Sequence, residues 1–136
     1  MAGGTHRGGF VTRRSFDIES MQHGNPIPAV TRIGALVVSS VIASRDPGST
    51  SVPESIEAQI ANLFHHTGEM LRAAGADWGH VAKMTFYLPS LDLRRELNEP
   101  WLEHFPDPYS RPARHTQIGH AGYAQCDFIA FVDDPL

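Results

Sequence analysis

Residues 53–88 read PESIEAQIANLFHHTGEMLRAAGADWGHVAKMTFYL, a long helix followed by a strand. The apolar residues Ile56, Ile60, Leu63, Phe64, Met70, Leu71 and Ala74 recur at helical spacing and make one broad face. Pro53 and Glu54 open the helix, and Gly75 stands where a left-handed cap ends it. Beyond it, Val81–Leu88 alternates: Lys83, Thr85 and Tyr87 share one face, while Val81, Ala82, Met84 and Phe86 supply core, and Pro89 stops the strand. His65 and His66 are adjacent, so on a helix they point about 100° apart. That divergence disfavours a shared metal, and both read as solvated helix residues.

Working upstream, Phe10–Phe16 mixes β-branched and charged residues, as an exposed strand does. Gly24-Asn25-Pro26-Ile27-Pro28 is a turn or extended loop. Ala35–Ala43 (ALVVSSVIA) has the composition of a strand buried on both faces, and Ser44–Thr50 breaks it with turn chemistry. Downstream, a second helix runs from Leu91 to Phe105, with Leu93, Leu97, Trp101, Leu102 and Phe105 on one side. Pro100 within it implies a kink or a fresh start. Residues 106–112 form a loop, and two last strands cover Arg114–His120 and Ala124–Val132, close enough for a hairpin through Ala121-Gly122-Tyr123.

The order is β-β-α-β-α-β-β, an α+β domain with two helices on one face of a sheet. The uncovered face predicts self-association. With 136 residues the chain has the size of one domain, residues 10–136, preceded by a glycine-rich, aperiodic arm over residues 1–9. That arm reads as flexible, or alternatively as a segment that orders at a subunit interface. A net charge of −4 argues against nucleic acid as the main partner. No apolar run approaches the ~20 residues of a membrane span, and no leader is evident. Cys126, the single cysteine, cannot form an internal disulfide, which suits a reducing compartment such as the cytoplasm. Cys126 itself reads as a buried strand residue, not a nucleophile. No Cys/His spacing suggests a metal, and no cofactor is expected. Lys83 is the only lysine, and its strand setting argues against Schiff-base chemistry.

Four stretches, in order and spacing, resemble the RidA/YjgF family, also called endoribonuclease L-PSP. They are Gly34–Ser40, Glu57–Ala76, Lys83–Leu88 with Leu97-Asn98 and Trp101–Phe105, and Pro112-Ala113-Arg114. The resemblance spans about residues 24–132. It implies a chorismate-mutase-like fold, a homotrimer, and binding of small carboxylate-bearing enamines or imines, which are hydrolysed to keto acid and ammonia. In that family the signature arginine grips the substrate carboxylate, a role that falls on Arg114. A planar guanidinium suits it, meeting a carboxylate bidentately and staying charged. The alternative is an arginine paired with an acid across the trimer interface. Ser40 and Asn98 match the family's cleft serine and asparagine, although Ser40 could equally satisfy a backbone group and Asn98 anchor a loop. The backbone beside Thr116 is implied to position the imine nitrogen. Clefts between subunits are likewise carried from the family.

The departures bear on catalysis. Active members carry a glutamate on the last strand that handles the attacking water, and aligning Ile129-Ala130 with the family's closing residues puts Gln125 there. An amide orients water but does not take its proton, a contribution typically ~10²–10⁴-fold. A shift of two residues keeps the same strand face and puts Asp127 in that role. The chain is also shorter than the family between Arg114 and Ile129, Ile27 replaces a cleft tyrosine, and Val41 replaces a glycine. His120 is expected to share Arg114's face and His115 to oppose it, with a surface role the simpler reading of both. The competing function is a non-catalytic trimer that binds a carboxylate or regulates a partner. The charge balance gives a ribonuclease reading no support.

Overall fold

The computed structural model describes residues 12–133; the N-terminal arm of residues 1–9 lies outside them. Seven strands and two helices follow one another as β1 (Arg14–Phe16), β2 (Val30–Ile33), β3 (Leu36–Ser39), β4 (Ile42–Ala43), α1 (Ile56–Ala73), β5 (Val81–Leu88), α2 (Arg94–His104), β6 (Ala113–Ile118) and β7 (Gln125–Phe131). They form one α+β fold around a seven-stranded mixed sheet, ordered β1-β2-β3-β7-β5-β6, with β4 also paired to β7.

The long helix follows the predicted periodicity but begins at Ile56, not at Pro53-Glu54, because Ser55 caps it. Ser55 accepts a hydrogen bond from the Ala58 N–H at its start. At its end the Gly75 N–H reaches Arg72 C=O and the Ala76 N–H reaches Leu71 C=O, with Gly75 at φ +77°. This is a Schellman ending, and glycine fits because its φ lies where a Cβ is strained. A Cβ there would also come within 2.9 Å of the Arg32 guanidinium, which itself donates to Ala74 C=O. Ile60, Leu63, Phe64, Met70 and Leu71 are buried against the sheet. Phe64 meets Phe86 of β5, and Phe86 meets Trp101 of α2 edge-on, so both helices cover the same sheet face.

Several expectations need correction. The run 35–43 is not one strand: it breaks at Ser40-Val41 into β3 and β4, which pair with different parts of β7. A strand the sequence did not reveal, β2, joins β3 through Gly34-Ala35, with Gly34 at φ 58° and Ile33 paired to Leu36. That is the two-residue hairpin connection that favours glycine first. The last two strands do not make a hairpin. β5 lies between them, parallel to β6 and antiparallel to β7. The β5-α2-β6 crossover explains this, since parallel neighbours need a long connection and leave β5's other edge free for β7. Helix α2 runs unbroken through Pro100, preceded by a 3₁₀ turn at Leu91–Leu93. Ala82 is exposed, because an irregularity between Val81 and Lys83 takes it out of the alternation. Among the described residues no helix is long and apolar enough to cross a membrane.

Opposite the helices, the sheet presents Leu36, Ile129 and Phe131, all exposed, beside the polar row formed by His115, Thr85 and Asp127.

Candidate functional site

Strand alternation decides which residues can meet. On β6, Arg114, Thr116 and Ile118 pair with Met84, Phe86 and Leu88, the inward-facing residues of β5. Arg114 and Thr116 therefore stand on the helix side of the sheet. His115 and Gln117 pair with Thr85 and Tyr87 and stand on the bare side. Among the described residues strand β6 is bonded only to β5, so this row lies at an edge of the sheet.

The Arg114 guanidinium lies 5.2 Å from the centre of the Trp101 ring, within the range of a cation–π contact. It is half-buried. Among the described residues it pairs with no acid, and its N–H groups find no acceptor. Burial first, and the charge of Arg94 second, lower its pKa; an arginine nonetheless stays cationic at any working pH. The site thus holds a partly desolvated, unneutralised cation with its ring face occupied and its donors open. Trp101 is the partner of Arg114 that pattern reading missed, since an apolar helix position looks like core whether or not it carries a cation on one face. Asn98 is exposed on α2, one turn before Trp101.

Ser40 sits in the break between β3 and β4, where its hydroxyl donates to Pro28 C=O at 2.7 Å and its N–H to Ala29 C=O at 3.0 Å. Nearby, His23 Nε2 donates to Val41 C=O at 3.0 Å. The serine therefore ties the break to the 24–28 loop. Ser40→Ala is expected to lower stability by about 1 kcal/mol, the usual worth of such a bond, read from a urea unfolding midpoint. Ile27 and Val41, the residues that replace family positions, are both exposed around this break. A concavity of about 410 Å³ opens beside it, lined by Ser15, Asp17, His23, Asn25, Ile27 and Pro28 among others.

Gln125 and Asp127 do share a face of β7, alternating with buried Cys126 and Phe128. Asp127 pairs with Thr85 and Gln125 with Tyr87, so both belong to the bare side. The Asp127 carboxylate accepts from the Tyr87 hydroxyl at 2.9 Å. Burial and then that carboxylate raise the Tyr87 pKa, which keeps the hydroxyl a donor. Within one chain, then, Arg114 and Asp127 are on opposite faces of the sheet: neither a water-bridged pair nor a salt bridge. His120 falls past the end of β6, exposed in the bend after Gly119, so strand alternation does not carry it to Arg114's face. Cys126 is wholly buried beside Thr67, and burial pushes its thiol pKa far up, against any nucleophilic role.

His66 also departs from expectation. Far from solvated, it is fully buried: Nε2 meets Arg45 C=O at 2.7 Å, and Nδ1 meets the Ser20 hydroxyl at 2.8 Å. A carbonyl only accepts, so Nε2 carries the proton and Nδ1 accepts from Ser20. His65 next to it is exposed, 3.6 Å from Glu69. Among the described residues no group of three or more His, Cys, Asp or Glu is placed to hold a metal.

Comparison with known proteins bears on this site directly. The profile of the family described as Endoribonuclease L-PSP matches residues 22–120. The chain belongs to the RidA/YjgF family. Over 65 residues it is 40% identical to Reactive Intermediate Deaminase A, chloroplastic, of Arabidopsis thaliana, a match covering 48% of this chain and 34% of the plant protein. Over 88 residues it is 30% identical to a RutC family protein of Aquifex aeolicus, covering 65% of this chain and 70% of that one. Thus the chain spans about a third of the plant relative and over two thirds of the bacterial one. The fold matches the crystal structure of RidA from the Antarctic bacterium Psychrobacter sp. PAMC 21119 with a TM-score of 0.78 at 20% identity, covering 88% of this chain and 99% of that one. The profile match takes in β2 through β6, and so Arg114, but stops short of β7 with Gln125 and Asp127.

Proposed function

We propose that this RidA-family protein binds small carboxylate-bearing enamines or imines at Arg114 and hydrolyses them to keto acid and ammonia. The observation that carries the reading is the Arg114 guanidinium, half-buried on Trp101 and paired with no acid among the described residues. A partly dehydrated cation without a partner is costly to keep, and a carboxylate meeting its two parallel N–H groups repays that cost. Water then adds to the C=N carbon, the nitrogen takes up protons, and the carbinolamine collapses to a carbonyl with loss of ammonia. Imines are already electrophilic, so orientation and charge placement supply much of the acceleration. Thr116, on the same face as Arg114, lends its backbone to position the nitrogen; Asn98 borders the same site.

The proton-handling side of the site comes from a second copy. Gln125 and Asp127 stand on the bare face, opposite to Arg114 in one sheet, so one chain cannot turn both toward one substrate. Packing of Leu36, Ile129 and Phe131 between copies in a homotrimer would bring the bare face of one against the open β6 edge of another. In that arrangement Asp127 is the base and Gln125 orients water. The free thiol of Cys126 agrees with a cytoplasmic setting. A second reading, a trimer that binds carboxylates or regulates a partner without catalysis, is favoured by the engagement of Asp127 with Tyr87 and by the amide at Gln125.

The test is ammonia release from freshly generated 2-iminopropanoate and its four-carbon homologue. The protein is expected to accelerate release, and Asp127→Asn to lose about 10²-fold of it, the low end of a general base's worth. Acceleration that survives in Asp127→Asn removes that residue from the chemistry. No acceleration at all, with carboxylate binding intact, establishes the binding-only reading.

A further inference from the structure

Arg94, Asn98 and Trp101 stand at positions i, i+4 and i+7 of α2 and so share one stripe of the helix. Trp101 holds the Arg114 guanidinium against that stripe. The Leu91–Leu93 turn, which leads directly into Arg94, packs on β6 itself, so both ends of the stripe border the strand that bears Arg114. Arg94 and Trp101 are separated by about 10 Å along the helix axis, a gap that the length of the Arg94 side chain narrows. Arg94 spends one N–H on Leu91 C=O, and among the described residues it has no acid partner either. The charge of Arg94 is felt at Arg114. Two guanidinium groups that border the same strand, neither paired to an acid among the described residues, repel each other. Such an arrangement is stabilised by an anion that touches both.

We propose that Arg94 is a second anion-binding residue of the Arg114 site, which makes the preferred substrate a dicarboxylic imino or enamino acid, with Arg114 on the carboxylate beside the C=N carbon and Arg94 on the distal one. The proposal rests on the reading of Arg114 as the carboxylate anchor. Asn98, midway along the stripe, lies beside the carbon chain that joins the two carboxylates.

The experiment compares two stable keto acids of the same length by calorimetric titration at low ionic strength. 2-Oxopentanoate ends in a methyl group, and 2-oxoglutarate ends in a carboxylate. The dicarboxylate is expected to bind about fivefold more tightly, the upper worth of an exposed ion pair, and the preference to fade at high salt. Arg94→Gln brings the affinity ratio close to one, whereas Arg95→Gln, the same charge change on a neighbouring face of α2, leaves the ratio in place. A ratio near one in the unmodified protein, or a preference that persists in Arg94→Gln, overturns the role of Arg94 while Arg114 binding stands. Retention of both ligands by Arg114→Ala, or binding of neither by the unmodified protein, overturns the Arg114 reading and this proposal with it.

Discussion

Arg114→Ala is expected to lower kcat/KM for imino acids by on the order of 100-fold and to weaken keto-acid binding by a similar factor. The size of the effect follows from what the side chain does. Among the described residues its guanidinium makes no hydrogen bond and no ion pair, so its donors are free for substrate. Charge-assisted hydrogen bonds are worth about 1.5–3 kcal/mol, and a bidentate pair lies toward the top of that range. About 3 kcal/mol corresponds to roughly two orders of magnitude. The same geometry predicts that folding hardly notices the change. Within the chain, the substitution removes the stacking of the guanidinium on Trp101, worth about 0.5–1 kcal/mol at a partly exposed site, so the melting temperature falls by only a few degrees. Arg114→Lys separates charge from shape: lysine keeps the charge but neither stacks on the indole nor offers a planar fork. It is expected to recover part of the binding and little of the rate. Steady-state kinetics and titration on the three proteins, with melting curves alongside, check all of this. A large drop in melting temperature for Arg114→Ala would instead make the arginine structural.

What the sequence revealed and what it hid follow from how far each determinant reaches along the chain. Helix α1 was legible because its apolar period and Gly75 both act within a few residues, whereas its start at Ser55 was not read. Arg114 was legible as a candidate because Pro112-Ala113-Arg114 is a local motif. Strand β2 was hidden because Val30-Thr31-Arg32-Ile33 is short and carries an arginine, and only its pairing to β1 and β3 makes it a strand. The β6–β7 hairpin was wrongly expected for a related reason. The Ala121–Tyr123 segment is short enough for a turn, but the insertion of β5 between the two strands is a long-range choice. That choice also determines the site: which face Arg114 takes relative to Asp127 depends on both strands' pairing with β5, and no local pattern encodes it. His66 belongs to the same class, since a buried polar side chain is permitted only by its partners, and Ser20 is 46 residues away.

His66→Ala is expected to be strongly destabilising, and the wild-type protein to lose stability in mild acid through the same residue. The imidazole links three segments: it sits on α1, donates to Arg45 C=O in the loop after β4, and accepts from Ser20 in the segment after β1. Truncation leaves both partners unpaired in the interior and opens a cavity. Together these cost about 3 kcal/mol, a large share of a typical total of 5–15 kcal/mol, and lower the melting temperature by on the order of 10 °C. The pH effect has a definite sign. Burial is the main cause that lowers the His66 pKa below 6.5; nearby His65 and Arg45 lower it further, while the carbonyl of Arg45 and the Glu69 carboxylate oppose the shift. Between the lowered native value and the ordinary unfolded one, the unfolded chain binds a proton that the native chain does not. The stabilisation by His66 is therefore complete above about pH 6.5 and is lost as pH falls below it toward the native value. The Glu69 carboxyl, lowered by the nearby Ser20 hydroxyl and by the positive charges of His65 and Arg72, gives up its contribution only as pH falls below the ordinary carboxylate range, so melting curves between pH 5 and 7.5 are free of it. His66→Gln, which keeps an N–H for Arg45 but does not titrate, is expected to flatten the slope of melting temperature against pH in that window. Parallel slopes for His66→Gln and the unmodified protein would show that another group carries the acid sensitivity.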